Sequence, residues 1–153
     1  GFYPDVDRDL LLTGIFLHDV GKIEELSYDR AFAYTDEGQL VGHLVMGVEM
    51  LRDKVERTAD LTGEPFPNEL LLRLKHMIVS HHGALEYGSP KLPMTLEAVA
   101  LHYLDNLDAK LHAFGREIRD DPVREPSWTP YQQSTGRRLF KGAPRNAAGT
   151  DEA

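Results

Sequence analysis

Four stretches of this chain repeat their apolar residues at helical spacing, which limits the fold more than any other feature. From Asp7 to about Val20 the repeat is Leu10, Leu11, Ile15, Phe16 and Leu17, with Gly21 placed as a C-terminal cap. A second helix is expected from His43 to Leu61, closed by Thr62-Gly63 and by Pro65 and Pro67. A third runs from Asn68, a favourable N-cap residue, to His82, and Gly83 stops it. A fourth runs from Thr95 to about Arg119, with Leu96, Val99, Ala100, Tyr103, Leu104 and Leu107 as its core stripe. Residues 31–42 set Asp36-Glu37-Gly38 between two short apolar pieces and read as a small hairpin or ordered loop. Residues 84–95, with Gly88, Pro90 and Pro93, read as a loop. The fold class is therefore all-α, a helical bundle with a small hairpin or loop insertion.

With 153 residues the chain has room for one domain with a real core. That domain is expected over residues 1–122. After Pro122 the composition turns to Pro, Ser, Gly and Arg, so residues 123–153 are expected to form an irregular C-terminal strap, disordered from about Gly142. No apolar run is long enough to cross a bilayer, and no basic segment leads into an apolar stretch, so a cytoplasmic location is expected. The net charge of −8 argues against a surface that wraps duplex nucleic acid. The strap is different: residues 126–150 hold Arg137, Arg138, Lys141 and Arg145 and no acid, together with Trp128, Tyr131 and Phe140. Such a segment can stack single-stranded bases on its aromatics. For Trp128 and Tyr131 the simpler reading is that they pin the strap to the helices. Arg137 and Arg138 stand as substrate-binding candidates.

The chemistry-bearing residues gather at helix ends. His18-Asp19 lies at the end of the first helix and His81-His82 at the end of the third. A helix C-terminus presents unpaired carbonyls and the negative end of its dipole, both favourable to a cation. Alone, His81-His82 would read as a capping pair and Lys22 as a solvated neighbour of a helix end. His43 opens the second helix, and Asp105 lies in the fourth among Tyr103, Leu104 and Leu107, where an unpaired carboxylate would be costly. With no cysteine in the chain, any metal must be held by nitrogen and oxygen. His18, Asp19, His43, His81, His82 and Asp105 form such a set. It suits Mn²⁺, Fe²⁺ or Zn²⁺ and could hold two ions bridged by Asp19. His76 reads as a surface residue. His112 lies two turns beyond Asp105, too far to share its metal. His102 lies one turn before Asp105 and reads as a group that orients ligands.

LLLTGIFLHDVGKIEEL resembles the His-Asp signature of the HD-domain metal-dependent phosphohydrolases. YTDEGQLVGHLVMGVEML, VSHHGALEYGSPKLP and EAVALHYLDNLDAK resemble, more narrowly, the YhaM-type 3′-to-5′ exoribonucleases, in order over roughly residues 8–112. The resemblance implies an HD-domain helical bundle with His18, Asp19 and Asp105 as metal ligands and His43, His81 and His82 as ligands of a second ion. It implies Lys22 near the scissile phosphate, with Asp19 and Lys22 as the catalytic pair. Asn106 and Asp108 would orient ligands. Two divalent ions are expected, Mn²⁺ or Fe²⁺ before Mg²⁺, Co²⁺ or Zn²⁺. The expected substrate is single-stranded RNA, cut from its 3′ end. The alternatives are a nucleotide or small phosphate ester, or a regulatory module that binds nucleic acid without turnover. The family signature begins with a further histidine on an upstream helix, and no histidine precedes His18. A fragment lacking its N-terminal helix or helices, with an OB-fold domain upstream, is therefore expected; the alternative is a natural sequence with an incomplete first metal site. A homo-oligomer is compatible with the pattern.

Overall fold

The computed structural model describes residues 2–28, 31–122 and 127–142. The expected disorder after Gly142 falls on residues 143–153, which lie outside the described residues, as does Arg145. Two compact units divide the chain, residues 1–106 and 107–153.

In the first unit, helix α1 (Arg8–Leu17) starts at Asp7, whose carboxylate accepts from the amides of Asp9 and Leu10. It stops earlier than its apolar repeat suggests, with His18 as its C-cap, and the chain turns into a short helix α2 (Lys22–Glu25). Gly21 is therefore not a left-handed cap. Its φ is −63°, a conformation open to any residue. What it supplies is close approach: a Cβ here would lie 2.1 Å from the His43 carbonyl oxygen and 2.8 Å from the Gly47 amide.

Strands β1 (Leu26–Ser27) and β2 (Ala33–Tyr34) form a two-residue antiparallel ladder. The hairpin thus begins before residues 31–42 and only its second strand falls within them, and Asp36-Glu37-Gly38 is no turn. These residues begin helix α3 (Asp36–Leu40), because Thr35 Oγ1 accepts the Gly38 amide and two acids occupy the favourable first turn.

Helices α4 (His43–Thr62) and α5 (Asn68–Ser80) pack on each other, and α1 packs on α5. Pro67, rather than Asn68, holds the N-cap position of α5; its fixed φ suits a helix entry. The core joins Leu10, Leu51, Leu74, Met77, Ile78, Ala98 and Leu101.

Helix α6 (Leu96–Asp120) departs most from its apolar pattern. The expected core stripe is largely outside: Leu96, Val99, Tyr103, Leu104 and Leu107 are exposed, and Phe16 and Ile15 on α1 likewise. The inward face of α6 is instead Glu97, Ala98 and Leu101. A carboxylate can face the core there because its partners are built in. Arg73 Nη2 donates to Glu97 Oε2 at 2.7 Å, and the Asp7 amide donates to Oε1 at 2.9 Å. Burial would raise the Glu97 pKa, but these hydrogen bonds and the Arg73 charge hold it below the ordinary carboxylate value. One side chain thereby ties α5, α6 and the start of α1 together.

In the second unit, the far end of α6 contacts the segment that follows it. Ser134 Oγ donates to Glu117 at 3.2 Å, and the Arg137 guanidinium stands 5.8 Å from the Phe114 ring centre. The compact division falls inside α6. The strap folds back on itself through antiparallel bridges Trp128–Phe140 and Gln132–Arg137. Thr129 and Leu139 are buried between them, and the Trp128 and Phe140 rings meet at 5.0 Å. Among the described residues, no helix is long and apolar enough to cross a membrane.

Candidate metal centre

Two helices of the first unit end in the same way. His18 caps α1, and its Nδ1 donates to the Ile15 carbonyl at 2.7 Å; His81 caps α5, and its Nδ1 donates to the Ile78 carbonyl at 2.8 Å. The last carbonyls of a helix lack an internal partner, so a histidine three residues on can take one up. A carbonyl only accepts, so the proton sits on Nδ1 and Nε2 carries a lone pair. His82 follows suit, donating from Nδ1 to the Tyr87 carbonyl at 3.0 Å. His43 donates from Nδ1 to Glu25 Oε1 at 2.9 Å, and its backbone amide donates to the same oxygen at 3.0 Å. All four rings are thus held in the tautomer that leaves Nε2 able to bind a metal.

Three of these Nε2 atoms converge on Asp19. Its Oδ1 lies 3.7 Å from His43 Nε2 and 3.7 Å from His81 Nε2, and its Oδ2 lies 3.4 Å from His18 Nε2. His43 Nε2 and His82 Nε2 are 3.3 Å apart. With both protons on the outer nitrogens, neither can donate to the other, so two lone pairs face each other. Asp19 Oδ1 is itself buried without a hydrogen-bond partner among the described residues. An orphaned carboxylate oxygen ringed by imidazole lone pairs is a set of donors arranged for a cation. Two groups of ligand atoms lie within 4.8 Å of one another: His18, Asp19 and His81, and His43, His81 and His82. Asp105 joins the first corner, its Oδ1 3.6 Å from His18 Nε2. It reaches this place because α6 turns its 98–101 face inward, which carries residue 105 along the same side one turn on. These residues fit a divalent ion of the nitrogen- and oxygen-binding kind.

Lys22 Nζ donates to Asp19 Oδ2 at 2.7 Å from the first turn of α2. Burial raises the Asp19 pKa, but the hydrogen bond and the positive charge of Lys22 outweigh it and leave the carboxyl below its ordinary value. Glu25 behaves likewise: burial pushes it up, and the two His43 hydrogen bonds bring it down. Burial pushes His81 from the ordinary 6.5 down to about 4, and it lowers His82 and His76 as well. Neutral imidazoles are the form that binds metal.

The His81 shift carries a pH dependence. Between pH 6.5 and about 4 the unfolded chain takes a proton at this position and the folded chain does not. The contribution is complete above pH 6.5 and is lost as pH falls through that window, by up to about 3 kcal/mol. Urea unfolding of metal-free protein from pH 7 to 5 should show a steadily falling midpoint. A flat profile over that range would contradict the buried, neutral His81.

Among the other expected site residues, His102 donates from Nδ1 to the His81 main-chain carbonyl at 2.8 Å, supporting the end of α5 rather than reaching Asp19. Gly83 makes room for that ring, since a Cβ there would lie 2.0 Å from it, and its φ of +82° also ends the helix. Asn106 is half-buried and makes no side-chain hydrogen bond among the described residues. Asp108 is exposed and belongs to the second unit, as do Arg137, Arg138 and the exposed His112. Arg138 Nε donates to the Thr129 carbonyl at 3.0 Å, and Arg137 Nε to the Thr135 carbonyl at 3.1 Å. His76, expected at the surface, is half-buried and accepts the Met94 amide at 2.8 Å. The residue that sequence reasoning missed is Glu25. Nothing in Lys22-Ile23-Glu24-Glu25 separates it from Glu24 until the turn at Gly21 sets which of the two points inward.

Helices that end in capping histidines around a shared aspartate define a recognisable class. The chain belongs to the HD domain family, whose profile matches residues 2–110. It is 46% identical over 116 residues to the 3′-5′ exoribonuclease YhaM of Bacillus pumilus (strain SAFR-032), an overlap of 76% of this chain and 35% of that protein. With the 3′-5′ exoribonuclease YhaM of Bacillus subtilis (strain 168) it shares 47% identity over 117 residues, again 76% of this chain and 35% of the relative. The chain therefore spans about a third of the length of the curated relatives it matches. No solved structure matches it significantly.

Proposed function

We propose that this chain carries a metal-dependent phosphodiester hydrolase site that shortens single-stranded RNA from its 3′ end. One observation carries the reading: a buried Asp19 oxygen without a partner, surrounded by imidazole nitrogens whose tautomers are fixed from outside. His18, Asp19 and Asp105 would hold one divalent ion, and His43, His81 and His82 a second, with Asp19 between them. Mn²⁺ or Fe²⁺ suits this mixture of imidazole and carboxylate best, before Mg²⁺, Co²⁺ or Zn²⁺. Such ions supply Lewis-acid activation of water and charge neutralisation on phosphate oxygens. The choice of RNA rests on the printed activity of the relatives, which comes here as an expectation for the whole protein.

The chain's own groups have separable tasks. Asp19 is the acceptor at the centre, and Lys22 puts a positive charge beside it, favourable where a phosphate gains negative charge during hydrolysis. His102 and Glu25 act behind the ligands: the first steadies the His81 main chain, and the second sets the His43 ring. Asn106 and Asp108 would orient ligands further out, and Arg137 and Arg138 would meet the RNA backbone. Residues 1–122 would form the catalytic domain and 123–153 its strap.

The test is a Mn²⁺ titration with a single-stranded oligoribonucleotide and, separately, with mononucleotides. Progressive shortening from the 3′ end is the expected result. Cleavage of mononucleotides alone would move the substrate to small phosphate esters, and binding without any product would remove the hydrolase reading.

A further inference from the structure

A cleft of about 290 Å³ opens beside the His43–His82 edge of the centre. Val41 and Val45 line it from the junction of α3 and α4, and Tyr87 and Pro90 from the loop after α5. We propose that this cleft is a binding subsite for one nucleoside, the one attached to the phosphate at the histidine cluster, with its base stacked on the Tyr87 ring. The proposal rests on the phosphodiester reading above and adds to it a defined base-binding residue.

The chemistry of the walls selects the occupant. No lysine or arginine lines the cleft, and its one carboxylate is Glu25, so a second phosphate would find repulsion there. Two valines, a proline and a phenol ring suit an uncharged planar group, and aromatic rings stack on every base. The volume lies at the lower edge of small-molecule sites, room for one nucleoside rather than a run of them. Both glycines at the mouth, Gly42 and Gly88, face open space: a Cβ on either would touch nothing within 4 Å.

The Tyr87 wall is also built before any ligand arrives. The Tyr87 carbonyl accepts from His82, so the ring is tied by its own main chain to the metal-facing histidine. Ser89 is buried, its amide bonded to the Ala84 carbonyl at 3.2 Å and its hydroxyl within reach of the Val79 and Lys91 carbonyls at 3.0 and 2.7 Å. The Met94 amide is held by His76. Through all this the Tyr87 ring remains 63% exposed, available to a ligand. A fixed wall with an exposed ring binds without a cost for ordering the loop.

The experiment is calorimetric binding of a nucleoside 5′-monophosphate and of ribose 5-phosphate to the Mn²⁺-loaded protein, repeated with Tyr87→Ala and Tyr87→Phe. The nucleotide should bind roughly 10-fold or more tightly than the sugar phosphate, the margin expected of one stacked base. Tyr87→Ala should erase that difference without changing Mn²⁺ affinity, since the carbonyl that holds His82 is retained, and Tyr87→Phe should restore it. Equal binding of the two ligands by the unaltered protein would overturn the subsite, as would failure of both to bind, or a preference that Tyr87→Ala leaves intact. A base preference in a protein that cleaves no phosphodiester would instead retain the subsite and defeat the hydrolase reading, so the two failures are distinct.

Discussion

Asp19→Ala should remove the shift of the melting temperature that Mn²⁺ produces and lower phosphodiester hydrolysis by about 1,000-fold or more. Asp19 faces imidazoles of both clusters, and it supplies negative charge at their centre. The metal-free protein should respond far less. Its buried Oδ1 has no partner among the described residues, so deleting it removes a desolvation cost of the order of 1 kcal/mol. The half-exposed Lys22 pair, which holds the carboxylate charged against that cost, is lost with it, and the two changes offset each other. Thermal unfolding with and without Mn²⁺ separates the two effects: the metal-free midpoint should change little while the metal-dependent increment disappears. An unchanged increment with unchanged turnover would place the metal elsewhere.

The other large effect is expected at a residue with no side chain. Gly21→Ala puts a Cβ 2.1 Å from the His43 carbonyl oxygen, and main chain cannot swing aside as a flexible side chain can. Overpacking of this kind costs about 3 kcal/mol, or a fall in melting temperature of roughly 10 °C. Because the displaced carbonyl belongs to His43, Mn²⁺ affinity should fall with stability. Gly47→Ala is the matched control. It lies on the neighbouring turn, but its nearest contact is the Ile78 methyl at 3.3 Å, which can yield. Equal stability of the two variants would contradict the close approach of Gly21 to α4.

The helices were legible because periodicity reports that a segment has two faces. It does not report which face is buried. On α6 the leucines that repeat most regularly lie outside, and Glu97 lies inside because Arg73 and the Asp7 amide meet it there. Such partners come from residues 24 and 90 positions away and leave no local trace. Asp105 stands out in the sequence by its leucine neighbours, yet it reaches His18 through the face shared with Leu101. The short elements failed for a related reason: Thr35-Asp36-Glu37-Gly38 carries the same residues as a turn, and only the Thr35 hydroxyl on the Gly38 amide makes it a helix start. The candidate ligands were more legible than the fold around them, since His18-Asp19 and His81-His82 advertise themselves by residue type. Their orienting partners did not, because three of the four are main-chain oxygens and the fourth is one of two adjacent glutamates.

Those three carbonyls, of Ile15, Ile78 and Tyr87, are invisible to an alanine scan, since every substitution keeps its peptide group. Of the four imidazole anchors, Glu25 alone can be deleted by mutation. The accuracy of the cluster is inherited from where α1 and α5 stop, so sequence drift on those helices can proceed freely provided each stop stays in register with its histidine.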